Sequence, residues 1–155
     1  MAKLLLDEML RKLAKWLRIF GFSAEHTEGW NDDQILLYAQ RHHSTLVTRD
    51  KKLFARCKKN RVKCVLLSSE KIPVQLAQLK KTLKLRFPFP EKTRCPECNT
   101  LLQLAKRDDV RALAHPNVLK KHRKFWICKK CNKAYWMGGH WKNIRRIYKE
   151  AQQHH

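Results

Sequence analysis

Two short cysteine pairs constrain this chain more than any other feature. Cys95-Pro96-Glu97-Cys98 and Cys128-Lys129-Lys130-Cys131 are separated by 29 residues. A two-residue gap lets one tight turn present two thiolates to one ion, and two such turns complete the tetrahedral sulfur set that Zn²⁺ takes. Arg94, Lys129, Lys130 and Lys133 flank the pairs and favour the thiolate form. Two disulfides would fit poorly with a cytoplasmic chain, and a redox dithiol needs one pair rather than two. The spacing therefore predicts a closed, structural zinc site on Cys95, Cys98, Cys128 and Cys131, with an inserted hairpin or helix over Asp108–His115. Cys57 and Cys64 have no partner at ligand spacing and read as packing residues.

Charge points to the partner. The 155 residues carry 35 Lys and Arg against 13 Asp and Glu, a net +22. Residues 1–50 hold seven of each sign and are neutral, so the whole excess lies in residues 51–155. A surface this basic suits a polyanion, and nucleic acid is the expected one. Apolar runs such as Leu4–Leu6 are far too short to span a bilayer. Asp7 and Glu8 interrupt any secretory leader pattern, so a cytoplasmic protein with no membrane partner is expected.

Periodicity places the rest. Ala2–Leu6 reads as a strand, and Glu8–Phe20 as a helix with Met9, Leu13, Trp16, Leu17 and Phe20 on one side. Arg11, Lys15 and Arg18 form a basic stripe on another side, and Gly21 stops the helix. Phe22–Glu28 reads as extended. Asn31 and Gln34 make a capping box before a second helix. Ser44–Thr48 and Val62–Leu67 read as strands, Lys51–Lys58 as a helix, and Pro73 opens another. Strands alternating with helices predict an α/β fold, a parallel sheet flanked by helices, with its ligand site beyond the carboxyl ends of the strands. The prolines of Arg86–Pro90 mark a boundary, after which the cysteine module begins.

Asp7 and Asp50 each follow a predicted strand, and Asp32 and Asp33 open a helix. Gathered in space, these acids suit Mg²⁺ or Mn²⁺ and phosphodiester cleavage. Asp32, Asp33 and Asp50 serve equally well as ordinary helix caps, and spacing alone does not decide.

Leu6–Gly21, with its Asp7-Glu8-Met9-Leu10-Arg11-Lys12-Leu13 start, resembles the opening of the Mut7-C RNase family, PIN-like nuclease domains carrying a C-terminal zinc ribbon. The similarity continues through Asn31-Asp32-Asp33-Gln34, Thr48-Arg49-Asp50 and Arg94–Asn99, and ends in Cys128–Trp141. It implies a PIN-like domain over 1–87, a four-cysteine zinc ribbon over 91–150 and a tail over 151–155, whose His154 and His155 look like a tag remnant. It further implies metal-dependent RNA cleavage, with Asp7 and Asp50 binding Mg²⁺ or Mn²⁺, Asp32 or Asp33 as the middle acid, and Thr48 and Arg49 near phosphate. Glu8 and Arg11 stand where the family pattern often has small residues, and Glu8 either adds a carboxylate or obstructs the site.

The RNA expected on this reading is single-stranded or structured, such as tRNA or rRNA. Its candidate contacts are Arg11, Lys15, Arg18, Arg49, Lys58, Lys59, Arg61, Lys120, Lys121, Arg123 and Lys124, with Trp136, His140 and Trp141. Trp126 and Tyr135 join the aromatics able to stack on unpaired bases, against a packing role for most of them. The competing readings are a non-catalytic RNA-binding protein with a degenerate acidic site and a DNA-binding zinc-ribbon factor.

Overall fold

The computed structural model describes residues 2–153. Strand β1 (Lys3–Leu6) is apolar on both faces because both are covered: Leu4 and Leu6 join one core, Leu5 the other. Asp7 then caps a single 3₁₀ turn, Glu8–Leu10, and α1 runs from Arg11 to Ile19. The helix expected from Glu8 therefore starts late. The tighter turn shifts the phase, so Leu10 points inward while Met9 is 56% exposed.

β2 (Ser23–His26), α2 (Asp32–His42), β3 (Thr45–Thr48), α3 (Lys51–Lys59), β4 (Cys64–Leu66) and α4 (Ile72–Leu83) complete the first unit. Its four strands are all parallel, in the order β2-β1-β3-β4. The chain leaves β1 for β2 on one side and crosses over to β3 on the other, so the order switches between β1 and β3. Helices α1 and α4 cover the face of Leu4 and Leu6, and α2 and α3 cover the face of Leu5. The α/β expectation holds, with a parallel sheet between helices.

The proline-marked stretch packs into the main core, since Leu85, Phe87 and Phe89 are buried and Phe87 stacks on Phe20 at 5.5 Å. Gly21 makes room for it: φ is +95°, and a Cβ there would lie 2.5 Å from Pro88 Cγ.

The cysteine module holds β5 (Gln103–Ala105), α5 (Pro116–Lys121), β6 (Phe125–Cys128) and β7 (Lys133–Trp136), with an antiparallel sheet ordered β5-β6-β7. Its small core is Val110, Leu119 and Phe125. The insertion expected over Asp108–His115 is a 3₁₀ turn, Arg107–Val110, followed by α5, which starts only at Pro116 with His115 as its cap. Helix α6 (Trp141–Gln153) returns to the first unit and buries Ile144, Ile147 and Ala151 in the core shared with α1 and α4. The tail expected from residue 151 is thus helix up to Gln153, and His154 and His155 lie outside the described residues. No helix among the described residues is long and apolar enough to cross a membrane.

Candidate functional site

The carboxyl ends of β1 and β3 lie side by side at the switch point, where open parallel sheets leave a crevice. Asp7 follows β1 and is only 8% exposed. Its Oδ1 accepts from Glu8 N at 2.8 Å, and its Oδ2 accepts from the Thr48 hydroxyl at 2.7 Å. Thr48 Oγ1 in turn accepts from Asp50 N at 3.0 Å. Asp50 caps α3, its Oδ1 accepting from Lys52 N at 2.8 Å and Leu53 N at 3.2 Å. One buried hydroxyl thus links the two strand-end acids.

Asp32 and Asp33 open α2 behind the Asn31–Gln34 capping box. Both turn to Arg56 of α3, Asp32 Oδ2 at 3.5 Å and Asp33 Oδ1 at 2.5 Å. The hydrogen bond and charge of Asp33, with those of Asp32, raise the Arg56 guanidinium above its ordinary value. Thr48 thus ties the Asp7 carboxylate to the Asp50 backbone amide, while Asp32 and Asp33 both pair with Arg56. Among the described residues only the four cysteines bring three or more potential ligand atoms into one cluster. Cys57 and Cys64 pack on the α2–α3 face, as their spacing predicts.

Cys95, Cys98, Cys128 and Cys131 place all four sulfurs within 4.8 Å of one another, with Cys98 and Cys128 at 3.4 Å and Cys95 and Cys131 at 3.9 Å. Four thiolates so close repel one another unless a cation lies between them. Burial works to push the Cys98 thiol up, but hydrogen bonds from Thr100 and the neighbouring thiols hold it at about 6. Cys131, hydrogen-bonded to Cys98 and desolvated, is pushed up to about 12. Sulfur-only chemistry at this spacing fits a tetrahedral soft or borderline ion. Each pair is followed by an asparagine in left-handed backbone, Asn99 at φ 70° and Asn132 at φ 54°, which closes the turn.

The first cysteine turn is bolted to the parallel sheet. Asn99 Oδ1 accepts from Ala24 N at 3.1 Å on the outer edge of β2, and its Nδ2 donates to Glu25 Oε1 at 2.9 Å. Arg18, buried at the end of α1, donates from Nε to Ala24 O and from Nη1 to Pro96 O, both at 2.7 Å. Burial lowers its guanidinium, opposed by Glu25 and by the Cys98 and Cys95 sulfurs. The RNA contact expected of Arg18 is corrected accordingly: its donors serve backbone carbonyls at this joint.

A family model described as Mut7-C RNAse domain matches residues 2–148. The chain belongs to the Mut7-C RNAse domain family. Comparison with curated proteins and with solved structures gave no match. The family carries an RNase-type function, with RNA as the substrate class its name implies. The match spans the parallel sheet, the cysteine module and over half of α6, which is consistent with their shared packing.

The basic residues of this Mut7-C chain are spread over several surfaces. Arg11 is exposed on α1, and Lys15 beside it pairs with Glu97 of the first cysteine turn at 3.1 Å. Arg49 pairs with Glu70 at 3.0 Å. Lys58, Lys59 and Arg61 are exposed around the end of α3, with Lys58 over the Phe54 ring. Lys120, Lys121, Arg123 and Lys124 are exposed between α5 and β6. Trp136 packs on the module's core and Trp141 on the main core, while His140 is exposed. Sequence reading missed Thr48 as the link between acids, Arg56 as the partner of Asp32 and Asp33, and Asn99 as the sheet-edge clamp. Only Asn99 left a trace, as the asparagine repeated after both pairs.

Proposed function

We propose that this chain is a metal-dependent endoribonuclease on a PIN-like fold, hydrolysing RNA phosphodiester bonds to leave 5′-phosphate and 3′-hydroxyl ends. The supporting observation is the Asp7–Thr48–Asp50 link across the β1/β3 switch point. Two strand-end carboxylates suit Mg²⁺ or Mn²⁺, which take few protein oxygens and leave positions for water and phosphate. Asp7 and Asp50 would hold that ion, and Asp32 or Asp33 would join only on leaving Arg56. Such an ion supplies an activated water and offsets charge on the leaving oxygen.

The chain's own part is positional. Thr48 holds the Asp7 carboxylate, the α3 amides orient Asp50, and Arg49, paired with exposed Glu70, would turn from it to a phosphate. Cys95, Cys98, Cys128 and Cys131 would hold structural Zn²⁺, a closed site without a position for substrate. The basic surface of residues 51–155 would hold single-stranded or structured RNA by its phosphates.

A second reading, a non-catalytic RNA binder, draws on the Arg56 pairs, which engage an oxygen of each of Asp32 and Asp33.

The deciding experiment incubates zinc-loaded protein with labelled single-stranded RNA, with or without added Mn²⁺, beside Asp50→Asn. Asparagine keeps the helix cap, so the variant is expected to fold and bind RNA but not to cut it. Cleavage persisting in rigorously purified Asp50→Asn and Asp7→Asn proteins would rule out this acidic site as the seat of the reaction. Binding without cleavage in every lane would favour the second reading.

A further inference from the structure

At the seam between the cysteine module and the first unit lies a cavity of about 160 Å³, and the rings of Trp126, Tyr135, Trp136, His140 and Trp141 line it. Neither Asp nor Glu is among its described lining residues. Cations ring it instead: Lys124 Nζ sits 5.4 Å over the Trp126 ring, and the Arg145 guanidinium sits 5.8 Å over Trp141. Arg94 also lines the cavity, and its buried Nε finds no acceptor among the described residues. Gly138 is what lets Trp136 close the wall, since a Cβ there would meet Trp136 Nε1 at 2.9 Å. Trp126 is half-buried opposite Leu104 and Tyr135 in the sheet and belongs to none of the hydrophobic cores.

We propose that this cavity is a nucleobase pocket, in which an unpaired base of bound RNA stacks on Trp126 while Lys124 and Arg145 take the adjoining phosphates. The reading rests on RNA being the ligand, as proposed above. Flat aromatic walls accept any base face, and a cationic rim without carboxylates matches a phosphate-bearing ligand rather than an acidic-rimmed or purely apolar one. The pocket is also set apart from the acids. Helix α1 starts one 3₁₀ turn after Asp7 and carries Ile19, a lining residue, about 12 Å down its axis. The base held here is therefore not on the nucleotide being cut, and its loss affects binding rather than the chemical step.

The test uses the full chain with Asp50→Asn, zinc-loaded, and the anisotropy of a labelled single-stranded oligoribonucleotide against an abasic ribose-phosphate oligomer of equal length. Trp126→Leu is expected to weaken binding of the base-bearing oligomer about tenfold, to leave the abasic one unchanged, and to leave the salt dependence as it was. Trp126→Phe, which restores a stacking face, should recover most of the loss. Zinc content and melting temperature verify that the variants fold. Should Trp126→Leu not fold, the parent chain still answers, because adenosine monophosphate should quench indole emission where ribose 5-phosphate does not.

Equal binding of both oligomers by parent and Trp126→Leu would overturn the pocket, as would absence of selective quenching. It would leave open a protein segment as the occupant. Cleavage with an inert Trp126 removes the pocket alone. A Trp126-dependent base preference in a chain that never cleaves removes the nuclease and keeps the pocket.

Discussion

Thr48 is fully buried at the end of β3, and its hydroxyl has two partners, Asp7 Oδ2 and the amide of Asp50. Thr48→Val keeps the β-branched shape and deletes both bonds, leaving a buried carboxylate oxygen and an amide short of a partner. The expected cost is about 1–3 kcal/mol of stability. Cleavage should fall about 10- to 100-fold, the usual effect of removing a group that orients a metal ligand. Thr48→Ser should restore most of the activity, and denaturant titration beside cleavage rates checks both. A folded valine variant as active as the parent would remove Thr48 from the site. Asp7 and Asp50 were legible in the sequence because an acid ending an apolar run marks a strand's carboxyl end. Thr48 was not, because its role depends on β1 and β3 being neighbours, which no local pattern records. Nor was Arg56, whose partners lie on another helix.

Elements were legible where one periodicity ran unbroken, as in Leu4–Leu6, Leu46–Val47 and the Asn31-capped helix. They failed where geometry changed within a run. The 3₁₀ turn at Glu8–Leu10 exchanged Met9 for Leu10, because Asp7 caps the chain before the α-helical phase begins. The Arg86–Pro90 stretch reads as a boundary by its prolines, and its phenylalanines pack against Phe20. Gly21 sits where this stretch meets the end of α1. An alanine there meets both positive φ and the ring of Pro88, which has no flexible end to move aside. Gly21→Ala is therefore expected to cost about 2 kcal/mol, well beyond the sub-kcal effect of the same change on an unstrained loop. Urea unfolding followed by far-UV circular dichroism measures it. A stability within error of the parent would mean that residues 86–90 pack loosely after all.

At the scale of the molecule, the cysteine module closes the parallel sheet as well as carrying positive charge. β2 is an edge strand, and an exposed edge amide invites pairing with another chain. Asn99 covers it at Ala24 N, and Arg18 ties Pro96 O to Ala24 O on the same strand. A metal held by the two cysteine turns would therefore support the fold well beyond its own sulfurs. Asn99→Gly isolates this link, since glycine accepts the φ of 70° and removes only the side chain. Zinc content should stay at that of the parent, because no ligand changes. Hydrogen exchange at Ala24 N should speed up about tenfold, the scale of one lost buried hydrogen bond. Stripping the metal with a chelator should speed it further and lower the melting temperature of the whole chain, because Arg18 then also loses its carbonyl partner on the cysteine turn. If Ala24 exchange responds to neither change, the cysteine turn does not hold β2, and the second unit is coupled to the first through Ile144, Ile147 and Ala151 of α6 instead. If it responds to both, zinc loading sets how firmly β2, and through it β1 with Asp7, is held in the sheet.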